Sequence, residues 1–123
     1  HTMLKSVNIL NLASSMASHA AQRHAVIADN IANADTPNFK AKDLQPFSEV
    51  YKAAELQGQA SRMITDFDTM EIDMGDAMSP NGNSVSLEDQ MMRSAQTQND
   101  HALALQMYKK SLSLMKTAIG KNI

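Results

Sequence analysis

The sequence predicts a mainly α protein: two long helices at the N- and C-terminal ends form an antiparallel helical hairpin or coiled coil, with a short helix and an irregular or extended central region between them. Three observations carry this expectation. Apolar and small residues recur at alternating spacings of three and four near each end of the chain. All three prolines and three of the four glycines fall in the intervening residues 35–85. Aromatic residues are only 4% of a chain that is 43% apolar, which leaves Ala, Leu, Ile and Met to build a core. The 123 residues fit a single domain spanning 1–123, in which His1 and Thr2, ahead of Met3, read as a cloning remnant.

The first helix is expected over residues 4–34. Its seam reads Leu10, Ala13, Ala17, Ala20, His24, Ile27, Ile31 and Ala34, the heptad rule for laying one stripe against another helix. At ~1.5 Å per residue it is about 45 Å long. Half of that seam is alanine, so a partner helix comes close while each contact buries little apolar area. The second helix is expected over residues 86–119, after the turn signal Pro80-Asn81-Gly82-Asn83. Ser86 is its N-cap, with Asp89 three residues on as an imperfect capping box. Its seam reads Leu87, Met91, Ser94, Gln98, His101, Leu105, Tyr108, Leu112, Met115 and Ile119. Gly120 is the expected C-cap, and Lys109, Lys110, Lys116 and Lys121 place positive charge where the helix dipole favours it.

Residues 35–85 form the central loop region, with a short helix near 46–57. Pro46 suits its first turn, Phe47, Val50, Tyr51 and Ala54 share a face, and Gly58 marks its end. The stretch from Gln59 to Asn83 alternates too weakly for a strand assignment and reads as extended or without regular structure.

Charge and composition exclude several functions. A formal charge of −2, a pI near 6.0 and no basic cluster remove the electrostatic footprint of a nucleic-acid binder. No cysteine is available for disulfides or thiolate metal sites. Asn8 and Asn11 interrupt the N-terminal apolar run, so a cleaved signal peptide is not expected. No stretch reaches the ~20 apolar residues of a membrane span.

His24 and His101 sit near the middles of their helices, and an antiparallel pairing would bring them face to face. A metal needs further ligands, and no carboxylate stands beside them on either seam, so paired or partly solvated histidines are preferred. His19 lies off the seam, with no partner spacing to name. Asp66, Asp68, Glu71, Asp73 and Asp76 resemble a calcium loop loosely, but Met70 stands where an oxygen ligand belongs and Glu71 where a glycine belongs. Met70, Met74 and Met78 recur every four residues and could offer thioethers to copper(I); adaptable contact surface is the preferred reading. No glycine elbow, phosphate loop or His-Glu zinc motif is present, and two helices with a thin seam do not readily supply a buried pocket of ~300 Å³ or more. Neither an enzyme nor a cofactor is expected, and a metal-handling helical protein using His and Met is the alternative to a structural role.

"AQRHAVIADNIANADTPNFKAKDLQPF", residues 21–47, resembles the N-terminal signature of the flagellar axial and rod protein family: a long helix ending in Asn-Ile-Ala-Asn-Ala, then Asp-Thr-Pro, a turn residue, an aromatic and Lys. "VSLEDQMMRSAQTQNDHALALQMYKKSLSLMKTAIG", residues 85–120, resembles the C-terminal helix of that family, and the short chain suits its proximal-rod branch. The chain departs from its relatives at Asn38, where they commonly carry Gly; Asn is the next-best residue for a left-handed turn position. The resemblance implies a self-assembling structural subunit of the bacterial flagellar basal body. Implied partners are other rod subunits, the adaptor joining the rod to the membrane ring, and the flagellar export apparatus. The implied place is the periplasmic rod, reached without a cleaved signal.

Within the motif, Asn30 and Asn33 are expected to bond carbonyls left free at the helix end, and Pro37 to forbid the helix to continue. Asp35 and Thr36 would close the turn through side-chain to backbone bonds, and Phe39 would be an apolar anchor. The resemblance adds that residues from Asn30 to Lys40 contact neighbouring subunits.

Overall fold

A computed structural model describes residues 2–75 and 78–120. His1, Asp76 and Lys121, named above, lie outside the described residues. The element order is α1 (Thr2–Ala32), β1 (Lys42–Leu44), α2 (Phe47–Leu56), β2 (Thr69–Glu71) and α3 (Leu87–Gly120). The mainly α architecture with two long terminal helices and a short central one is as the sequence predicts, with a small two-stranded sheet added.

Each boundary has a local cause. After Ala32 the chain tightens, the Asn33 amide bonding both Asp29 O and Asn30 O, before Pro37 bars a further helical turn. Pro46, at φ −56°, leads into α2, and Gly58 takes φ +70° just past its end. The Ser86 hydroxyl accepts from Asp89 N–H at 3.3 Å, capping α3. That helix runs through Gly120, so this glycine lies in the last turn rather than beyond it.

α1 and α3 pack antiparallel: Asn30 meets Gln90, Arg23 meets Gln96, and Ala13 and Ala17 lie beside Ala104. The buried stripe on α3 is Gln90, Thr97, Ala104 and Ser111, a strict seven-residue repeat. It is not the expected seam. Leu105, Leu112 and Ile119 are 44%, 38% and 53% exposed, Leu87, Met91 and Tyr108 are exposed too, and Met115 is only partly covered. The reason is packing distance. Ser6, Ala13, Ala20 and Ile27 repeat at the same seven-residue interval on α1 and are buried, and small residues opposite small residues allow close approach. Thr97 and Ser111 satisfy their hydroxyls on Arg93 O (2.7 Å) and Met107 O (2.8 Å) of their own helix, so their burial leaves no polar group unpaired. On α1 itself Ala13, Ala20 and Ile27 are buried as expected, Leu10, Ala17 and His24 are half-buried, and Ile31 is 43% exposed; Ala34 lies beyond the helix.

The central region lies along α1. β1 pairs antiparallel with β2 in the register Lys42↔Glu71, Asp43↔Met70, Leu44↔Thr69. The chain between α2 and β2 is tied down by Asn11 Nδ2 to Ser61 O, Ile64 N–H to Ser15 Oγ and Gln22 Nε2 to Thr65 O, at 2.7–2.9 Å. Met70 is in β2 and Met74 and Met78 follow it outside any helix, so the three methionines share no helical face. Among the described residues no helix is long and apolar enough to cross a membrane.

Candidate assembly site

The stretch from Asn30 to Lys40 is built by two loops that meet. Asn33 Nδ2 donates to Asp29 O at 2.9 Å, closing a carbonyl at the end of α1, and the Thr36 hydroxyl donates to Asn33 Oδ1 at 3.1 Å. Asn30 does something else than cap. Its amide takes Lys42 N–H (3.0 Å) and gives to Lys42 O (2.7 Å), copying a strand's pairing pattern, and it donates to Gln90 Oε1 at 2.9 Å. One side chain thus joins α1, β1 and α3. Gln90 is fully buried, and its Nε2 finds no acceptor among the described residues.

The turn is closed chiefly by Asn83, which is 1% exposed. Its Nδ2 donates to Asn33 O (2.8 Å) and Thr36 O (2.7 Å), and its Oδ1 accepts from Val85 N–H (2.8 Å). Asp35, expected to help close the turn, is exposed, with its carboxylate outside these bonds. Asn38 adopts φ 62°, the left-handed region, and its N–H donates to Asn81 O at 3.0 Å. Phe39 is half-buried and joined through its backbone O to Ser84 N–H (3.0 Å), while Lys40 Nζ donates to Gly82 O at 2.7 Å. Sequence reading took residues 80–83 as a turn between elements. Their role as a clamp on the first turn, some fifty residues earlier in the chain, has no local signal.

Beside this clamp sits a charge network that sequence reading missed. Arg23 grips Asp43 with two bonds, Nε to Oδ1 at 2.9 Å and Nη2 to Oδ2 at 3.0 Å; Arg93 reaches the same carboxylate from α3 and also bonds Asp89 Oδ2 at 2.7 Å. Burial works against the Asp43 charge, yet the bonds from Arg23 and Arg93, the Arg23 charge and Leu44 N–H outweigh it and hold the carboxyl below its ordinary value. His19, off the expected seam, is buried: Nε2 lies 2.7 Å from Gln45 O, and since a carbonyl only accepts, Nε2 carries the hydrogen. Phe47 and Phe67 approach its ring edge-on, at centroid distances of 5.7 and 4.9 Å. This aromatic cluster docks α2 on α1.

The expected facing of His24 and His101 does not occur. Position 23 is level with Gln96, whereas His101 lines a shallow apolar groove with Ala13 and Ala17. Among the described residues no three His, Asp or Glu side chains gather as metal ligands. Clefts of about 390 and 410 Å³ open on the surface. The larger contains Arg23, Asp43 and Arg93, already bonded to one another.

With this geometry in view, comparison with known proteins is specific. The family model described as flagella basal body rod protein matches residues 10–40, most of α1 and the turn that ends it. The flagellar basal body rod protein FlgB of Agrobacterium fabrum is 29% identical over 96% of this chain and 97% of its own length. This chain is similar to flagellar basal-body rod proteins. A second relative, FlgB of Yersinia enterocolitica, is 51% identical over 41 residues, 33% of this chain and 29% of that protein. The rod-family match therefore covers the helix terminator, and the Agrobacterium similarity extends through α3 as well.

Proposed function

We propose that the chain is a structural, non-catalytic subunit of the bacterial flagellar basal-body rod that assembles with other rod subunits through its terminal helices. One observation carries this reading: the heptad-spaced row Met91, Leu105, Leu112 and Ile119 stays exposed along the flank of the buried stripe in the folded single chain. The periodicity is that of a helix seam, and α1 leaves it largely uncovered. Leu103 and Leu114 are exposed on other faces of the same helix, and a helix apolar on several sides is one that neighbours surround. The seam residues expected from sequence thus divide between two tasks, with Ala13, Ala20 and Ile27 closing the hairpin and Leu105, Leu112 and Ile119 meeting another subunit. The turn from Asn30 to Lys40 sets the chain's exit from the helical wall and offers Asp35, Thr36 and Pro37 to neighbours. Similarity to flagellar basal-body rod proteins supports the further expectations of export without a cleaved signal, a periplasmic position and contact with the adaptor at the membrane ring.

Two substitutions separate the tasks. Leu112→Asp changes an exposed residue, so the isolated chain should keep its melting behaviour to within about 0.5 kcal/mol, while rod incorporation and swimming are lost. Ile27→Asp buries a carboxylate at a position 3% exposed and should destabilise the chain itself by roughly 3 kcal/mol or more. Normal swimming by the Leu112→Asp strain overturns the assignment of this face.

A further inference from the structure

Charge is segregated along the hairpin. All 13 Asp and Glu residues lie from Asp29 to Asp100. The open end of the hairpin, where the start of α1 lies beside the end of α3, carries Lys5, Lys109, Lys110 and Lys116, all exposed, and neither terminal stretch contributes an acid there. The same end exposes Leu4, Ile9, Leu114 and Ile119. The central region is tied to α1 by the bond from Asn11 to Ser61 O. A complementary surface exists on the same molecule. Across residues 63–73 the exposed side chains are Met63, Asp66, Asp68, Met70, Glu71 and Asp73, with Thr65 and Thr69 between them, so that apolar contacts are set among four carboxylates.

We propose that the basic, apolar open end of one copy docks on the acidic, methionine-bearing 63–73 surface of a second copy. Lysines meet carboxylates, and Leu and Ile meet Met, whose unbranched side chain adapts to irregular contacts. Because the two patches differ, the contact is heterologous: each copy keeps one of each surface free, so the association does not close into a two-fold dimer but continues. The inference deepens the rod reading by naming a partner surface, and it takes its cellular setting from that reading. It is separate from the Leu105 and Leu112 row.

The test is sedimentation of the full chain as a function of concentration and salt. The wild type should form an open-ended series, and its association should weaken about tenfold or more between about 50 and about 300 mM NaCl as the lysine–carboxylate pairs are screened. Lys109→Glu/Lys110→Glu and Asp66→Lys/Asp68→Lys should each be monomeric alone, with far-UV circular dichroism unchanged. Mixed in equal amounts, the two should regain long assemblies, since each reversed surface then finds its complement on the other variant. Should a reversal cost helicity, Lys109→Gln/Lys110→Gln and Asp66→Asn/Asp68→Asn serve instead, and each should lose most of the salt dependence. A wild type that stays monomeric, a closed dimer, or a mixture that does not associate overturns the proposal. So does a wild type that sediments with phosphatidylglycerol vesicles without self-associating. If the Lys109→Glu/Lys110→Glu variant associates and swims normally while Leu112→Asp does not, this inference fails and the rod reading stands.

Discussion

Asn38 and Gly82 face each other where the two loops meet. Both backbones are left-handed, at φ 62° and 82°, and a Cβ added at Gly82 would lie 2.4 Å from Asn38 Oδ1. Gly82→Ala should therefore destabilise the chain by about 1–2 kcal/mol, from backbone strain together with the clash. In an Asn38→Gly background the clashing oxygen is gone and only the backbone part of that cost remains. Urea unfolding of the two single variants and the double variant measures the coupling. The residue types made the Asn38 turn legible, because few residues other than Gly and Asn accept positive φ. Asn83 was not legible as the clamp, because a buried amide bonding carbonyls about fifty positions away leaves no mark on the residues around it.

Between elements, Asp43 holds β1 to α1 through Arg23 and to α3 through Arg93. Its carboxyl titrates lower in the folded chain than in the unfolded one. At acid pH the unfolded state thus binds more protons, so the stabilisation is fully present above the ordinary Asp value near ~3.9 and fades as pH falls through the depressed folded value. Asp43→Asn should remove about 2 kcal/mol at neutral pH and flatten the acid limb of the stability curve, as followed by thermal melts from about pH 6 to about pH 2. The helices themselves were legible in their spacing of three and four. The face of α3 was not, because the three-and-four spacing fits two adjacent stripes of the helix, and only the close approach of the small α1 residues Ala13 and Ala20 selects the one that is buried. The strands were not either: three residues each, they offer too few alternations to stand out.

Across the whole molecule the fastening is uneven. Asn30, Gln90, Asn83 and the Asp43 network all sit toward the turn end, whereas the open end is held by Ser6 and Ser111 and their small neighbours. Amide hydrogen exchange should follow this gradient, with the slowest amides in α1 residues 19–30, β1 and the first turns of α3, and protection falling toward residues 4–9 and 113–119. Uniform protection along α1 and α3 would contradict it. The small-residue stripe at seven-residue spacing then has a mechanical meaning. Because the fully buried residues among those described there, Ser6, Ala13, Ala104 and Ser111, are all small, the far portions of α1 and α3 can turn about their own axes more easily than helices locked by large buried knobs, while the fastened end keeps register. A single subunit shape can in this way seat against neighbours placed at slightly different angles around a tube, taking up the mismatch by torsion of its helices rather than by repacking of its core.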